Sequence, residues 1–254
     1  MKKILLTLIF LPLFAFANPN SVVYNITTRE VIDGSLDSYE MSIASISKLM
    51  TVYTVMSSNQ DLDEKLTVDI PKHITNTKLS KGMVLTRKDL INLALISSDN
   101  VAAITLSENY PGGQSAFVRK MNENTFILNM NHTGFVEPTG LSPMNYSSIS
   151  DLVRLTEAVS DYKIVRDAAQ SHNVTGKIQK GKKTVQVKGN PTSKYFGHDG
   201  IITIKTGFTN AAGFCITMLV YANNNLYNIT VLGAKSKKER QLFVEKSLNK
   251  IYNA

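Results

Sequence analysis

Residues 201–232 read IITIKTGFTNAAGFCITMLVYANNNLYNITVL. Ile201–Lys205, Phe214–Tyr221 and Leu226–Leu232 are alternating or β-rich runs, and Gly207–Gly213 and Ala222–Asn225 supply the turns between them. A further β-rich run, Lys183–Val187, lies upstream, and a helix carrying Leu242, Phe243, Leu248 and Ile251 ends the chain. At the other end, Val22–Ile26 and Arg29–Ile32 flank Thr27 and Thr28 and predict a β-hairpin. Between these ends the apolar spacing is helical. Leu49, Met50, Tyr53 and Met56 mark one helix, and Thr86 caps another that holds Leu90, Leu93 and Ala94. Further helices are expected over Val101–Glu108, Gln114–Leu128 and Ile149–Val159. Strands at both termini around a helical middle predict an α+β fold. Its antiparallel sheet joins the first hairpin to the last strands and packs with helices, beside a largely helical subregion, with a cleft between them.

The chain has 254 residues, 43% of them hydrophobic and 19% charged, enough to bury a core and too apolar for intrinsic disorder. Cys215 is the only cysteine, which excludes an intramolecular disulfide and a cysteine metal cluster. His73, His132, His172 and His198 are scattered and form no metal-binding tract, so neither a metal nor an organic cofactor is expected. Residues 1–17 differ from the rest, with basic Lys2 and Lys3, an apolar run from Ile4 to Phe14, and small residues at Ala15 and Ala17. That is the layout of a secretory signal peptide cleaved after Ala17. A retained anchor needs a longer apolar run than the one that polar Asn18-Pro19-Asn20 cuts short. The expected product is an exported, periplasmic protein whose residues 18–254 form one domain, with membrane contact at most peripheral. The net charge of +8 suits anionic polymers or a membrane surface. No basic stretch is interleaved with aromatics, so nucleic acid is not an expected partner. The run Lys235–Arg240 reads as a solvated helix start.

The chemistry-bearing candidates are three short elements. Ser45-Ile46-Ser47-Lys48 sits at a helix start, where residues three apart share a face and an amine reaches a hydroxyl. Apolar Ile43, Ile46, Leu49 and Met50 around Lys48 favour its neutral form, which is a usable base. Ser98-Asp99-Asn100 falls on a loop between helices, and Lys205-Thr206-Gly207 closes a β-rich run. SxxK recurs at Ser247–Lys250 and SxN recurs four more times, so neither pattern means much alone. Their order, and their settings on helix start, loop and strand, bring them to one cleft.

These residues resemble the motif set of penicillin-binding proteins and class A β-lactamases. IASISKLMT at residues 43–51 is similar to the nucleophile segment of the D-alanyl-D-alanine carboxypeptidase and endopeptidase family. FVEPTGLS at 135–142 and KTGFTNAAG at 205–213 resemble its endopeptidase branch. The resemblance spans about residues 20–250 and implies a β-lactamase/transpeptidase-like fold. It implies that Ser45 attacks a D-alanyl peptide bond in peptidoglycan stem peptides while Lys48 takes its proton. Ser98 and Asn100 would relay protons and hold substrate. Lys205 and Thr206 would bind its carboxylate side, with Gly207 allowing close approach. The backbone N–H groups of Ser45 and Phe208 would form the oxyanion hole. Arg240 is a further candidate for carboxylate recognition, and Asp99 is not assigned a role. β-Lactam antibiotics would be covalent inhibitors.

Carboxypeptidase, β-lactamase and a non-catalytic peptidoglycan-binding protein are the alternatives. Carboxypeptidase relatives carry a second β-rich domain and a C-terminal amphipathic helix, so a chain ending at Ala254 favours the endopeptidase branch. A class A enzyme needs a deacylating glutamate in an ExxLN context before KTG. The only ExxLN here is Glu245–Asn249, and Glu137 lacks the LN. Cys215 is expected as a packed core thiol and His198 as part of a turn before Ile201.

Overall fold

The computed structural model describes residues 20–69, 74, 77–172, 174–180 and 183–253, and the expected leader at residues 1–17 lies outside them. Asn20–Asn25 (β1) and Glu30–Gly34 (β2) form the first hairpin. Met41–Ser42 (β3) leads through a 3-10 turn at Ala44–Ile46 into Ser47–Ser57 (α1). Lys65–Thr67 (β4) and Val84–Thr86 (β5) precede three helices, Arg87–Ile96 (α2), Asn100–Glu108 (α3) and Gly113–Ile127 (α4). Tyr146–Ser147 (β6) pairs with β3 and is followed by Ile149–Ser160 (α5) and Lys163–Ala169 (α6). A second hairpin, Val174–Lys180 (β7) and Lys183–Gly189 (β8), precedes the long strands Ile201–Thr209 (β9), Gly213–Ala222 (β10) and Asn225–Ala234 (β11). Lys237–Tyr252 (α7) is the last helix.

The main sheet is antiparallel in the order β2-β1-β11-β10-β9, so the first hairpin joins the last strands as the sequence predicts. Its register sets Val22 opposite Thr230 and Thr217 opposite Lys205. Successive residues Cys215–Val220 of β10 are all buried, so both sheet faces are covered, and α5 and α7 pack on β10 and β11. The polar residues in this core satisfy one another. The hydroxyl of Thr217 lies 2.9 Å from that of Thr156 on α5 and 2.8 Å from that of Thr230, which donates to Asn228 Oδ1 at 2.7 Å.

Helix starts follow their caps. Thr86 Oγ1 accepts from the N–H of Asp89, Ser148 Oγ from Asp151 and Ser236 Oγ from Glu239. The lysines of the 235–240 run are exposed as expected, whereas Arg240 at its end is buried.

Three features depart from the sequence reading. Lys183–Val187 does not join the main sheet: β8 pairs along its length with β7, in a second sheet ordered β4-β5-β7-β8. Strands β4 and β5, at three residues each, are too short to show alternation, and a local hairpin captured β8 before any distant partner. Helix α6, only seven residues long, was also not anticipated. Ser45 lies in the 3-10 turn and not in the α-helix, because Ala44 before it is left-handed (φ +47°) and delays regular geometry to Ser47. The turn runs directly into α1, and Ser45 Oγ still lies 2.9 Å from Lys48 Nζ.

The helical region closes on this turn through Gly140. Its φ is +81°, and a Cβ there would lie 1.8 Å from the carbonyl oxygen of Ala44, so the contact requires glycine twice over. Gly140→Ala is expected to cost at least about 3 kcal/mol. Thermal unfolding should register this as a Tm lower by about 6–12 °C.

Candidate active site

Ser45 is held from two sides. Gly140 presses on the carbonyl of Ala44, and Gly207 of edge strand β9 comes so close that a Cβ there would meet Ile43 O at 2.9 Å and Ser45 N at 3.0 Å. Ala44 keeps its left-handed backbone because these neighbours leave it no alternative. The KTG glycine therefore brings the strand backbone against the serine turn.

Lys48, one turn below Ser45, is fully buried, and its Nζ has three oxygen neighbours. Ser45 Oγ lies at 2.9 Å, Asn100 Oδ1 at 2.7 Å and the carbonyl oxygen of Thr139 at 2.7 Å. Burial pulls the amine down to about 7, and the negative charges of Glu137 and Asp99 oppose the fall. A neutral amine at neutral pH has two N–H groups for Asn100 and Thr139. Its lone pair is then left facing the Ser45 hydroxyl, and the arrangement can accept that proton and make the oxygen nucleophilic.

Lys205 is the second buried amine, donating to Ser98 Oγ at 2.8 Å and to the carbonyl of Thr206 at 2.9 Å. Burial first, then the positive charges of Lys48 and Arg240, press it well below its ordinary value. Ser98 has φ +57°, a strained backbone that turns its hydroxyl between the helices and β9. The Thr206 hydroxyl donates to Thr192 Oγ1 at 2.8 Å. Ser45, Ser98, Thr192, Thr206, Gly207 and Phe208 line a cleft of about 280 Å³. Arg240 and Lys237 of α7 close its far end, and Arg240 is steadied by donating to the Cys215 carbonyl at 3.1 Å.

All the predicted positions converge: Lys48, Asn100 and Lys205 beneath the cleft, and Ser45, Ser98, Thr206, Gly207, Phe208 and Arg240 along it. Asp99 points the other way, capping α3 through the Ala102 N–H and accepting from Thr77 Oγ1. Cys215 is a buried thiol that burial raises to about 11, which makes it a poor nucleophile. His198 stands before Ile201 in a turn. Ser247 of the second SxxK has its hydroxyl bonded to the Phe243 carbonyl, within α7. Among the described residues, no three His, Cys, Asp or Glu side chains gather as metal ligands.

Sequence reasoning missed the residues that hold Lys48 in place. Glu137 Oε2 accepts from the N–H and hydroxyl of Thr139, both at 2.6 Å. Its Oε1 accepts from the Gly140 N–H at 2.6 Å and from Asn145 Nδ2 at 3.1 Å. The carboxylate thus folds the 137–142 loop around itself and fixes the Thr139 carbonyl that receives Lys48. Fully buried Asn145 ties the same loop to Ser47 Oγ at 3.2 Å. Nothing local in the sequence marked Glu137 as the anchor of this loop. Thr192 was missed as well, because only the tertiary fold brings it to β9.

Comparison with known proteins follows the same lines. A D-alanyl-D-alanine endopeptidase of Escherichia coli is 36% identical over 229 residues, 87% of this chain and 73% of that protein. A Streptomyces DD-transpeptidase structure superposes with a TM-score of 0.84 at 22% identity, covering 92% of this chain and 96% of the other, which establishes the shared fold. A penicillin-binding protein from Listeria monocytogenes, solved with cefotaxime bound, has a TM-score of 0.78 at 26% identity, covering 91% and 96% of the two chains. The D-alanyl-D-alanine carboxypeptidase family model matches residues 15–236, and with that coverage and the endopeptidase identity the chain belongs to this family of serine peptidases.

Proposed function

We propose that the protein is a serine D,D-peptidase of peptidoglycan stem peptides and, specifically, a D,D-endopeptidase that cuts D-alanyl cross-links. The observation that carries this reading is the Lys48 amine 2.9 Å from Ser45 Oγ, buried, with its remaining hydrogens directed at Asn100 and Thr139. The endopeptidase branch is favoured by the 36% identical relative of that name. Carboxypeptidase activity is the second reading, favoured by the description of the matching family. Cefotaxime, a β-lactam, is bound in the Listeria relative, which supports β-lactams as covalent inhibitors here. Residues 1–17 fit a cleaved export signal, which would place residues 18–254 in the periplasm as one peptidase domain. Among the described residues, no helix is long and apolar enough to cross a membrane.

In the proposed reaction Ser45 Oγ bonds to the carbonyl carbon of the D-alanyl residue as its proton passes to Lys48 Nζ. The carbonyl oxygen takes the negative charge and accepts from the N–H groups of Ser45 and Phe208. The C–N bond then breaks, and the leaving amine takes the proton from Lys48 by way of the Ser98 hydroxyl. Water attacks the ester next: Lys48 takes one of its protons and passes it to Ser45 Oγ as the ester C–O bond breaks, and the other leaves with the new carboxyl group as it ionises. Thr206 and Arg240 form a cationic, hydroxylated wall suited to the carboxylate beside the scissile bond, and Lys205 lies behind it, bonded to Ser98.

No carboxylate lines the cleft among the described residues. Glu137 is engaged with its own loop, and Glu245 of α7 pairs with Lys194. The cleft therefore lacks the carboxylate a class A β-lactamase uses to activate its deacylating water, which supports a long-lived penicilloyl ester over β-lactamase turnover.

Mass spectrometry of a cross-linked peptide dimer and a monomeric pentapeptide tests the assignment. The dimer is expected to split while the pentapeptide keeps its terminal D-alanine; the reverse pattern makes the protein a carboxypeptidase. Ser45→Ala should lower cleavage by about 10³–10⁶-fold and erase the penicillin adduct, and a variant that retains turnover refutes the nucleophile. The acylation rate should rise through about pH 7, as Lys48 loses its proton, and level off above it. A rate flat across this range rules out Lys48 as the base. Glu137→Gln removes an anion that supports the ammonium form, so the midpoint of the same profile should move to lower pH while the plateau falls. An unmoved midpoint leaves Glu137 with a purely structural role.

A further inference from the structure

Thr192 belongs to none of the three motifs, yet it lines the serine cleft together with Ser45, Ser98 and Thr206. It sits on the connection between β8 and β9, and the backbone holds it there. Its N–H donates to the carbonyl of Ile96 at 3.1 Å, at the end of α2 and just before the Ser98 loop. Further along the connection Tyr195 and Phe196 are buried in the core, and the N–H of Gly197 donates to the Ala169 carbonyl at 2.8 Å. None of these anchors uses the Thr192 side chain, whose hydroxyl is left to the cleft.

That hydroxyl has a proton to give. Thr206 Oγ1 donates to Thr192 Oγ1 at 2.8 Å, so the bond between them spends the Thr206 proton and leaves that of Thr192. Among the described residues no protein acceptor takes it, and no carboxylate lines the cleft. Accepting one bond also polarises the O–H and makes it a better donor. Its position fits a ligand on one particular side. Ser98, which passes a proton to the leaving amine in the proposed reaction, accepts from Lys205, the neighbour of Thr206 in β9. Thr206 and Thr192 therefore stand on the leaving side of the scissile bond, with Thr206 about 7 Å along the strand from Phe208 and its oxyanion N–H.

We propose that Thr192 is a substrate-binding residue, and that its hydroxyl donates to the carboxylate beside the scissile bond while Thr206 supports it through the bond between them. The inference rests on the D,D-peptidase reading and deepens it. Arg240, which lines the same cleft, supplies charge, and Thr192 supplies a directed donor. The ligand class is any acyl donor that carries a carboxylate on the carbon next to the scissile nitrogen. Peptides ending in D-alanine and penicillin share that arrangement.

The experiment measures the acylation rate of the purified protein with penicillin and with penicillin carboxamide, in which a neutral amide replaces the carboxylate. The wild type is expected to react faster with the carboxylate form. Thr192→Val keeps the shape of the side chain and removes the donor, so the ratio of the two rates should fall about tenfold. Thr192→Ser keeps the hydroxyl, and its ratio should stay near the wild-type value. Because each ratio is taken on one preparation, every variant is its own control for folding. A Thr192→Val protein with the wild-type ratio overturns the role of Thr192 and leaves the peptidase reading standing. Equal losses in the two variants trace the effect to packing and overturn the donor. A wild type that reacts equally with both compounds overturns carboxylate recognition in this cleft, and the part of Thr192 with it. Absence of the penicillin adduct in the wild type overturns the peptidase reading itself.

Discussion

An amine buried without water must find oxygen acceptors or give up its charge. Lys48 does some of each, and the rest of the molecule is arranged around that constraint. Its oxygens come from the 3-10 turn, from the start of α3 and from the loop after α4, three parts of the chain that no local interaction would bring together. Removing any of them would leave Lys48 short of an acceptor in the core and press its charged form further out of favour. The strained backbones of Ala44 and Ser98 and the close approaches of Gly140 and Gly207 are the means by which these parts reach one point.

The sheet supplies the rigid half of this arrangement. Strand β9 is at its edge, where one row of backbone groups has no strand partner, a hazard in most proteins. Here the edge faces the serine turn, with Gly207 against Ser45, so the unpaired side is the one a peptide ligand would meet. The buried hydroxyl ladder from Thr156 to Asn228 and the helices on both faces keep β10, and hence β9, from shifting. A displacement of an ångström at such a site is expensive in rate.

Lys205 repeats the theme with a different neighbourhood. Two buried amines close enough to disfavour each other's charge are held apart in role by their acceptors: Lys48 faces the nucleophile, and Lys205 joins Ser98 to the strand. The carboxylate that balances this cluster, Glu137, is drawn into a loop of its own making. It therefore acts on Lys48 through the Thr139 carbonyl and through space, away from any substrate.

Much of this was legible in the residues. The cap at Thr86 follows from side-chain chemistry three residues wide, and the Ser45–Lys48 spacing follows from helical geometry. The β-rich runs at β9, β10 and β11 announced the sheet. What failed was of another kind. The second sheet depends on strands too short to carry a pattern, and the 3-10 turn depends on Gly140 pressing from a hundred residues away. By itself the sequence determined the strands of the main sheet, the longer helices and the three motifs, because these rest on periodicity and near-neighbour chemistry. Only the tertiary structure decided that Lys48 is buried and that Glu137 and Thr192 belong to the site. Burial, pKa and adjacency are properties of what surrounds a residue, and those surroundings come from everywhere else in the chain.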